Sequence, residues 1–504
     1  MVASLLKPLT TGIQNERIFF KQTFAPFVRL WHTTGRFTTQ MVRLDFDSAP
    51  VLGGTSFFRL LRKGQLITRL FLVANMPDIE TAQAIARAKA GAFFAGPTFG
   101  WTNSIGHALV ESTTMNIGNT EIETLDSRLL EMMDEFQTPL EKTTTMNRLI
   151  KRLDNGFTSS TFGHDPVPTQ VVVPLPFWFC RGDAGCAFPI DAILSDEVRI
   201  GITFRNVNGM YYTDSRNVNN TSTDDGTGLW PLLNSPFYAY LLGGGTVVPG
   251  IDPVRPVGII PGINMPNTLS LGDTYIMAEY VYLDQPEANR FRMADLQVPI
   301  VQHYAVQPFQ TRGLANARIP IEIPNPTRDL FWMVQRVEAP TYNAHFLATR
   351  DLTAVKSDKL WWPNATGLSA FQPSFLTPAF ALSDSEPIIG VALMYQGSLT
   401  RFRTQTPALY RSILPSWEQK KSPWINRFYY NFPVGLYSGY TPVSKPLGEG
   451  NLDKMSQREL LLEFTPRRGT YNQNDVPSYD VYIWAETYNV LRVYGGRAGL
   501  LFAY

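Results

Sequence analysis

Alternation with a period of two residues recurs along this chain, and it restricts the possible folds more than any other feature. Val198, Ile200, Ile202 and Phe204 occupy alternate positions, with Arg199, Gly201 and Thr203 between them. Successive side chains of a strand point to opposite faces, so such a run describes a strand with one face buried. Ile319, Ile321 and Ile323 alternate with Arg318, Pro320 and Glu322, and the prolines there indicate an edge or a strand end. Val481, Ile483 and Ala485 alternate with Tyr482, Trp484 and Glu486, and the run continues towards Val493. Residues 275–283 are largely apolar on both faces, as for a strand covered by another sheet or a neighbouring subunit. With 37 Gly and 37 Pro to make turns and 12% aromatic residues, these runs predict an all-β protein.

Helices are predicted to be few and early. Thr120-Glu121-Ile122-Glu123 has the capping-box pattern, and Leu125, Leu129, Met132, Met133 and Phe136 follow at helical spacing. Met146, Leu149, Ile150 and Leu153 form a second stripe, and residues 80–89 are Ala-rich. Each stripe is expected to pack onto a sheet.

At 504 residues the chain exceeds one β unit of about 200–250 residues and fits two in tandem. Residues 206–272 lose periodicity and are rich in Asn, Asp, Gly and Pro, which predicts a long partner-facing loop. The expected organisation is an amino-terminal arm over 1–17, a first sandwich over 18–285, a linker over 286–297 and a second sandwich over 298–504.

Several function classes are excluded by what is missing. Net charge is +1, from 44 basic and 43 acidic residues, and the basic pairs Lys420-Lys421 and Arg467-Arg468 are not tracts, so no direct nucleic-acid contact is expected. Cys180 and Cys186 are the only cysteines and give no disulfide framework, which agrees with folding in a reducing compartment. His32, His107, His164, His303 and His345 are scattered, so no metal site is expected. Residues 1–11 lack a secretory apolar core, and the most apolar stretch, 171–180, is broken by Pro174 and Pro176. A soluble chain with at most peripheral membrane contact is expected.

Arg181-Gly182-Asp183 is a tripeptide read by integrin-type receptors, but it falls where a polar turn is expected anyway. Asn219, Asn220 and Asn364 begin N-glycosylation sequons, which also arise by chance. Gly495-Gly496-Arg497-Ala498-Gly499 has no following helix to face a phosphate, and Gly243-Gly244-Gly245-Thr246 lacks the lysine of a P-loop. No Gly-x-Ser-x-Gly elbow is present. Catalytic, cofactor-binding and metal-ligating residues are therefore expected to be none.

An ordered set of segments resembles the major capsid proteins of the nucleocytoplasmic large DNA viruses, the algal-virus, iridovirus and giant-virus group. Gly64-Gln65-Leu66-Ile67-Thr68-Arg69 is similar to the family's early strand entry. Asn103-Ser104-Ile105-Gly106-His107, Met115-Asn116-Ile117-Gly118 and Glu121-Ile122 resemble its strand, glycine turn and helix. Pro174-Leu175 with Phe177-Trp178-Phe179, Phe188-Pro189-Ile190 and Glu197-Val198-Arg199-Ile200 resemble its most recognisable block. Tyr280-Val281-Tyr282-Leu283-Asp284 and Glu287-Ala288-Asn289-Arg290-Phe291 look like the strand and linker between two jelly rolls. Asn325-Pro326-Thr327, Leu330-Phe331-Trp332 and Tyr488-Asn489-Val490-Leu491-Arg492 with Gly495 and Gly499-Leu500 resemble the second roll and its ending. The loop before Tyr275 is longer than in compact members, and residues 1–31 carry no family landmark.

The resemblance implies two tandem jelly-roll β-sandwiches with a few short helices in loops. It implies a structural protein of an icosahedral virion capsid, assembled in the host cytoplasm as pseudo-hexagonal homotrimers. Implied partners are neighbouring capsomers, minor capsid and penton proteins, and an internal membrane at the periphery. An assembly scaffold or a minor capsid paralogue would share the fold. A jelly-roll carbohydrate-binding protein or glycosidase is the rival from another class.

Overall fold

The computed structural model describes residues 36–77, 98–152, 170–214, 270–337, 339–342, 345–346, 348, 386–395, 399–404, 406–424, 427–465 and 476–502. Strands are numbered along the chain. Up to Leu283 the strands pair only with one another among the described residues, and so do those from Leu296 onwards.

In the first half, one sheet has the order β1 (Phe37–Leu44), β10 (Thr274–Leu283), β3 (Leu66–Asn75) and β7 (Gln170–Pro174). The other has the order β2 (Thr55–Arg59), β8 (Val198–Phe204), β5 (Val110–Ile117) and β6 (Thr120–Asp126). Val198, Ile200, Ile202 and Phe204 of β8 are all buried, as their alternation predicts. Gly201 lies between them because the Phe57 ring of β2 covers it; a Cβ would stand 2.8 Å from that ring.

The second half repeats the plan. One sheet has the order β11 (Leu296–Gln310), β18 (Tyr479–Tyr494), β13 (Thr327–Arg336) and β16 (Tyr429–Pro433), with β19 (Arg497–Leu500) also on β18. The other has the order β12 (Asn316–Pro320), β17 (Glu459–Phe464), β14 (Ile388–Tyr395) and β15 (Leu399–Thr404). Pro320 ends β12, which lies at the edge of its sheet, where a missing N–H costs no ladder bond. Two tandem jelly-roll sandwiches are the result.

Among the described residues five helices decorate this frame: α1 (Ile105–Leu109), α2 (Ser127–Gln137), α3 (Leu140–Ile150), α4 (Gln285–Met293) and α5 (Leu414–Glu418), the last preceded by a π turn at Leu409–Ile413. The structure corrects the capping-box reading. Thr120 to Glu123 belong to strand β6, because Gly118, at a φ of 58°, turns β5 back into a hairpin. The helix starts seven residues later, where the Asp126 carboxylate accepts the Leu129 amide at 2.7 Å. Helices are also not confined to the early chain: α4 occupies most of the expected linker, and β11 begins at Leu296.

The expected loop of 206–272 begins with structure as well. Residues Tyr211–Asp214 form β9, paired with β4 (Thr98–Trp101). Residues 215–269, the Ala-rich 80–89 segment, Leu153, His32, His164 and the arm over 1–17 lie outside the described residues.

Candidate functional site: the joint between the sandwiches

Strand β13 locates the site. All ten of its residues, Thr327–Arg336, are buried. Leu330, Trp332 and Val334 face their own core, where Trp332 stacks on Tyr430 with ring centroids 5.7 Å apart. Phe331 meets Phe136 of α2 at 5.4 Å, and Gln335 accepts from Arg128 of α2 at 3.2 Å. The outer face of one sandwich is thus the inner wall of a joint with the other. An ordinary one-sided alternation is lost for that reason.

Two buried charge networks cross this joint. In the first, Glu486 of β18 accepts from Arg181 at 2.7 Å and from Arg328 at 3.1 Å. Arg181 also donates to Nε2 of His303, 2.9 Å away, so the imidazole proton sits on Nδ1 and points at Glu123, 2.8 Å away. Glu123 and Arg181 come from the first sandwich; His303, Arg328 and Glu486 come from the second. Burial pushes the Glu486 carboxyl up, but the two guanidiniums outweigh it and hold it well below the usual carboxylate range. Asp329, buried beside Glu486, is pushed up by burial and by that negative neighbour.

The second network surrounds Arg152 at the end of α3. Its guanidinium meets Glu131 at 2.7 Å, Glu135 at 3.1 Å and Asp134, all on α2. From the second sandwich, Lys421 reaches Glu135 at 3.2 Å and Arg427 approaches Glu131 at 4.0 Å. Burial acts to raise the Glu131 carboxyl, yet Arg152, His107 and Arg427 keep it far below its ordinary value. Three cations balance three carboxylates, which is what allows six charges to be buried.

Main-chain bonds complete the joint. The Gly495-Gly496 turn between β18 and β19, with φ of 58° and 79°, aims the Gly496 carbonyl at the amides of Leu194 and Ser195, both at 2.8 Å. The Cys186 thiol donates to the Pro299 carbonyl at 3.3 Å. Phe177, Trp178, Phe179 and Phe188 form a fully buried aromatic cluster behind this contact.

A family model described as "Major capsid protein N-terminus" matches residues 25–231. The major capsid protein of Frog virus 3 (isolate Goorha) is 21% identical across 94% of this chain and 92% of its own length. The chain is similar along most of its length to the major capsid proteins of large DNA viruses. Capsid protein 1 of Acanthamoeba polyphaga mimivirus is also 21% identical, over 66% of this chain and 49% of that protein. Among solved structures, PBCV-1 VP54 covers 95% of this chain and 100% of its own, with a TM-score of 0.65 at 16% identity. The Faustovirus major capsid protein covers 98% and 99%, with a TM-score of 0.61 at 10% identity.

The motifs singled out in the sequence that lie among the described residues have structural partners. Arg181-Gly182-Asp183 is not a displayed receptor motif: Arg181 is 9% exposed and bound to Glu486. Asp183 accepts the amides of Gly185 and Ser444, each at 2.9 Å. Burial pushes the Cys186 thiol up to about 12 and raises Cys180 further, so both are poor nucleophiles. Asn219, Asn220, Asn364 and the 243–246 glycine run lie outside the described residues. Neither network was named from sequence. The available signal was Glu486, a carboxylate that directly follows the apolar and aromatic run Val481–Ala485 in β18.

Proposed function

We propose that this chain is the repeating building block of an icosahedral capsid of a large double-stranded DNA virus, with three copies meeting as one pseudo-hexagonal capsomer. The joint carries this reading: two sandwiches of like plan are held side by side by buried charges and aromatic rings. A trimer of such pairs presents six wedges, and a shell can be tiled by geometry without chemistry. The role is structural rather than catalytic, a reading supported by the capsid proteins that the chain resembles along most of its length.

An exposed apolar surface supports contact with other copies. Glu418 of α5 accepts the Gly439 amide at 2.8 Å and the Tyr437 amide, fixing the following loop beside the helix. Around it Trp417, Leu436, Tyr437, Tyr440 and Leu447 are each more than half exposed. A cluster of that size is a feature of surfaces buried on assembly. Neighbouring capsomers, minor capsid and penton proteins are the partners we assign to the remaining faces.

Sedimentation of the purified chain and quantitative mass spectrometry of virions test the reading. Trimers in solution and high copy number in the particle are expected. A monomer at high concentration overturns the capsomer, and absence from mature virions would make the chain an assembly scaffold instead.

A further inference from the structure

Two adjoining hollows open along the joint, of about 440 and 260 Å³, and they share Gln137, Arg181, Gly182 and Lys420. The larger also reaches Lys142 of α3, and the smaller reaches Arg328 of β13. Positive charge converges here, with Glu486 as the one carboxylate shared by Arg181 and Arg328. Among the described residues, the Lys142 and Lys420 side chains have no hydrogen bond or ion pair. The terminal nitrogens of Arg181 are taken by Glu486 and His303, but its buried Nε has no acceptor. Arg328 shares the same Glu486. The two carboxylates that line the hollows are already engaged: Asp134 by Arg152, and Asp183 by the amides of Gly185 and Ser444.

Lys420 feels the imbalance. Burial lowers its affinity for the proton, and Arg181, Lys142 and Arg328 push the same way. The inner wall includes Leu70, Leu130, Met133 and Leu175, which limits screening by water. Such a site is short of one anion.

We propose that this cleft binds an oxyanion, the phosphate or carboxylate group of a small ligand, between Arg181, Lys420 and Lys142. The anion accepts from the two ammonium groups, as charge-assisted hydrogen bonds, with the Arg181 guanidinium in the wall beside it. Arg181 and Lys142 belong to the first sandwich and Lys420 to the second, so the bound anion bridges them. It is a removable third tie beside the two permanent networks, and it goes beyond the role of shell building block.

Titration calorimetry and thermal melting of the full chain test this, with inorganic phosphate and citrate as probes and chloride at matched ionic strength as reference. Saturable binding at one site per chain and a raised melting temperature are expected with at least one probe. Phosphate alone or citrate alone identifies the preferred group. Lys420→Gln should weaken binding by about tenfold or more, while Lys420→Arg keeps it within about threefold and Lys63→Gln, at an exposed site elsewhere, leaves it unchanged. Without an anion, Lys420→Gln should melt higher than the parent, because it relieves the crowding of like charges; that reading also proves the variant folded. A response no larger than that to chloride, or one untouched by Lys420→Gln, overturns the site.

Discussion

Arg152 has a fully buried side chain that faces three carboxylates of one helix, so its loss would leave buried negative charge without a partner. Breaking a buried pair in this way typically costs about 3–5 kcal/mol. Arg152→Ala is expected to lose that much unfolding free energy in a urea titration. A loss below about 1 kcal/mol would mean that water reaches the cluster. His345 predicts a pH effect of known sign. Its Nε2–H donates to the Gly209 carbonyl at 2.6 Å, and burial, aided by Arg205, holds its pKa down to about 3 from an ordinary 6.5. The unfolded chain therefore binds a proton that the folded chain refuses between those values. The stability His345 contributes is whole above pH 6.5 and is lost as pH falls towards 3. His345→Gln, which retains an N–H donor, should flatten the slope of stability against pH in that window. None of these partnerships was legible in the sequence, since Arg152, His345 and Glu486 meet groups distant along the chain.

At the scale of the element, α2 separates what periodicity tells from what it hides. The stripe of Leu129, Met132, Met133 and Phe136 reveals a helix correctly, and all four residues are buried. The same spacing misplaces its start, because Thr120-x-x-Glu123 fits a capping box equally well when a glycine turn has made it a strand. Asp126 is the true cap, and Asp126→Ala is expected to cost about 1 kcal/mol, read by thermal melting; no change would assign the helix start to packing alone. The polar face of α2 is the larger surprise. Glu131, Asp134 and Glu135 are buried, and Lys421 and Arg427 of the second sandwich approach Glu135 and Glu131. Strand β13 behaves likewise: its continuous apolar run marks two covered faces and does not say what covers the second.

For the whole molecule, the joint predicts cooperativity. Neither sandwich can leave the other without exposing Phe136, Phe331 and two charge networks to water, so the chain should melt in a single calorimetric transition. Two resolved transitions would show the joint to be weak. Arg181→Ala, which leaves Glu486 with Arg328 alone, should lower the whole transition rather than split it. The proposed trimer is a separate property, and its test falls on the exposed surface that holds Trp417 and Tyr437. Paired Trp417→Glu and Tyr437→Glu substitutions, both on solvent-exposed side chains, should leave the circular dichroism of the chain unchanged and convert the proposed trimers to monomers in sedimentation velocity. Trimers that survive place the interface on another face.

By itself the sequence determined the class of element, the number of sandwiches and the resemblance to viral major capsid proteins, because alternation, turn residues and ordered landmarks are local and survive as patterns in one dimension. Only the tertiary structure decided which polar residues are buried, which strand has two inner faces, and where positive charge is left without a partner. Those outcomes depend on groups far apart in the chain meeting at one place, and on water being excluded when they do.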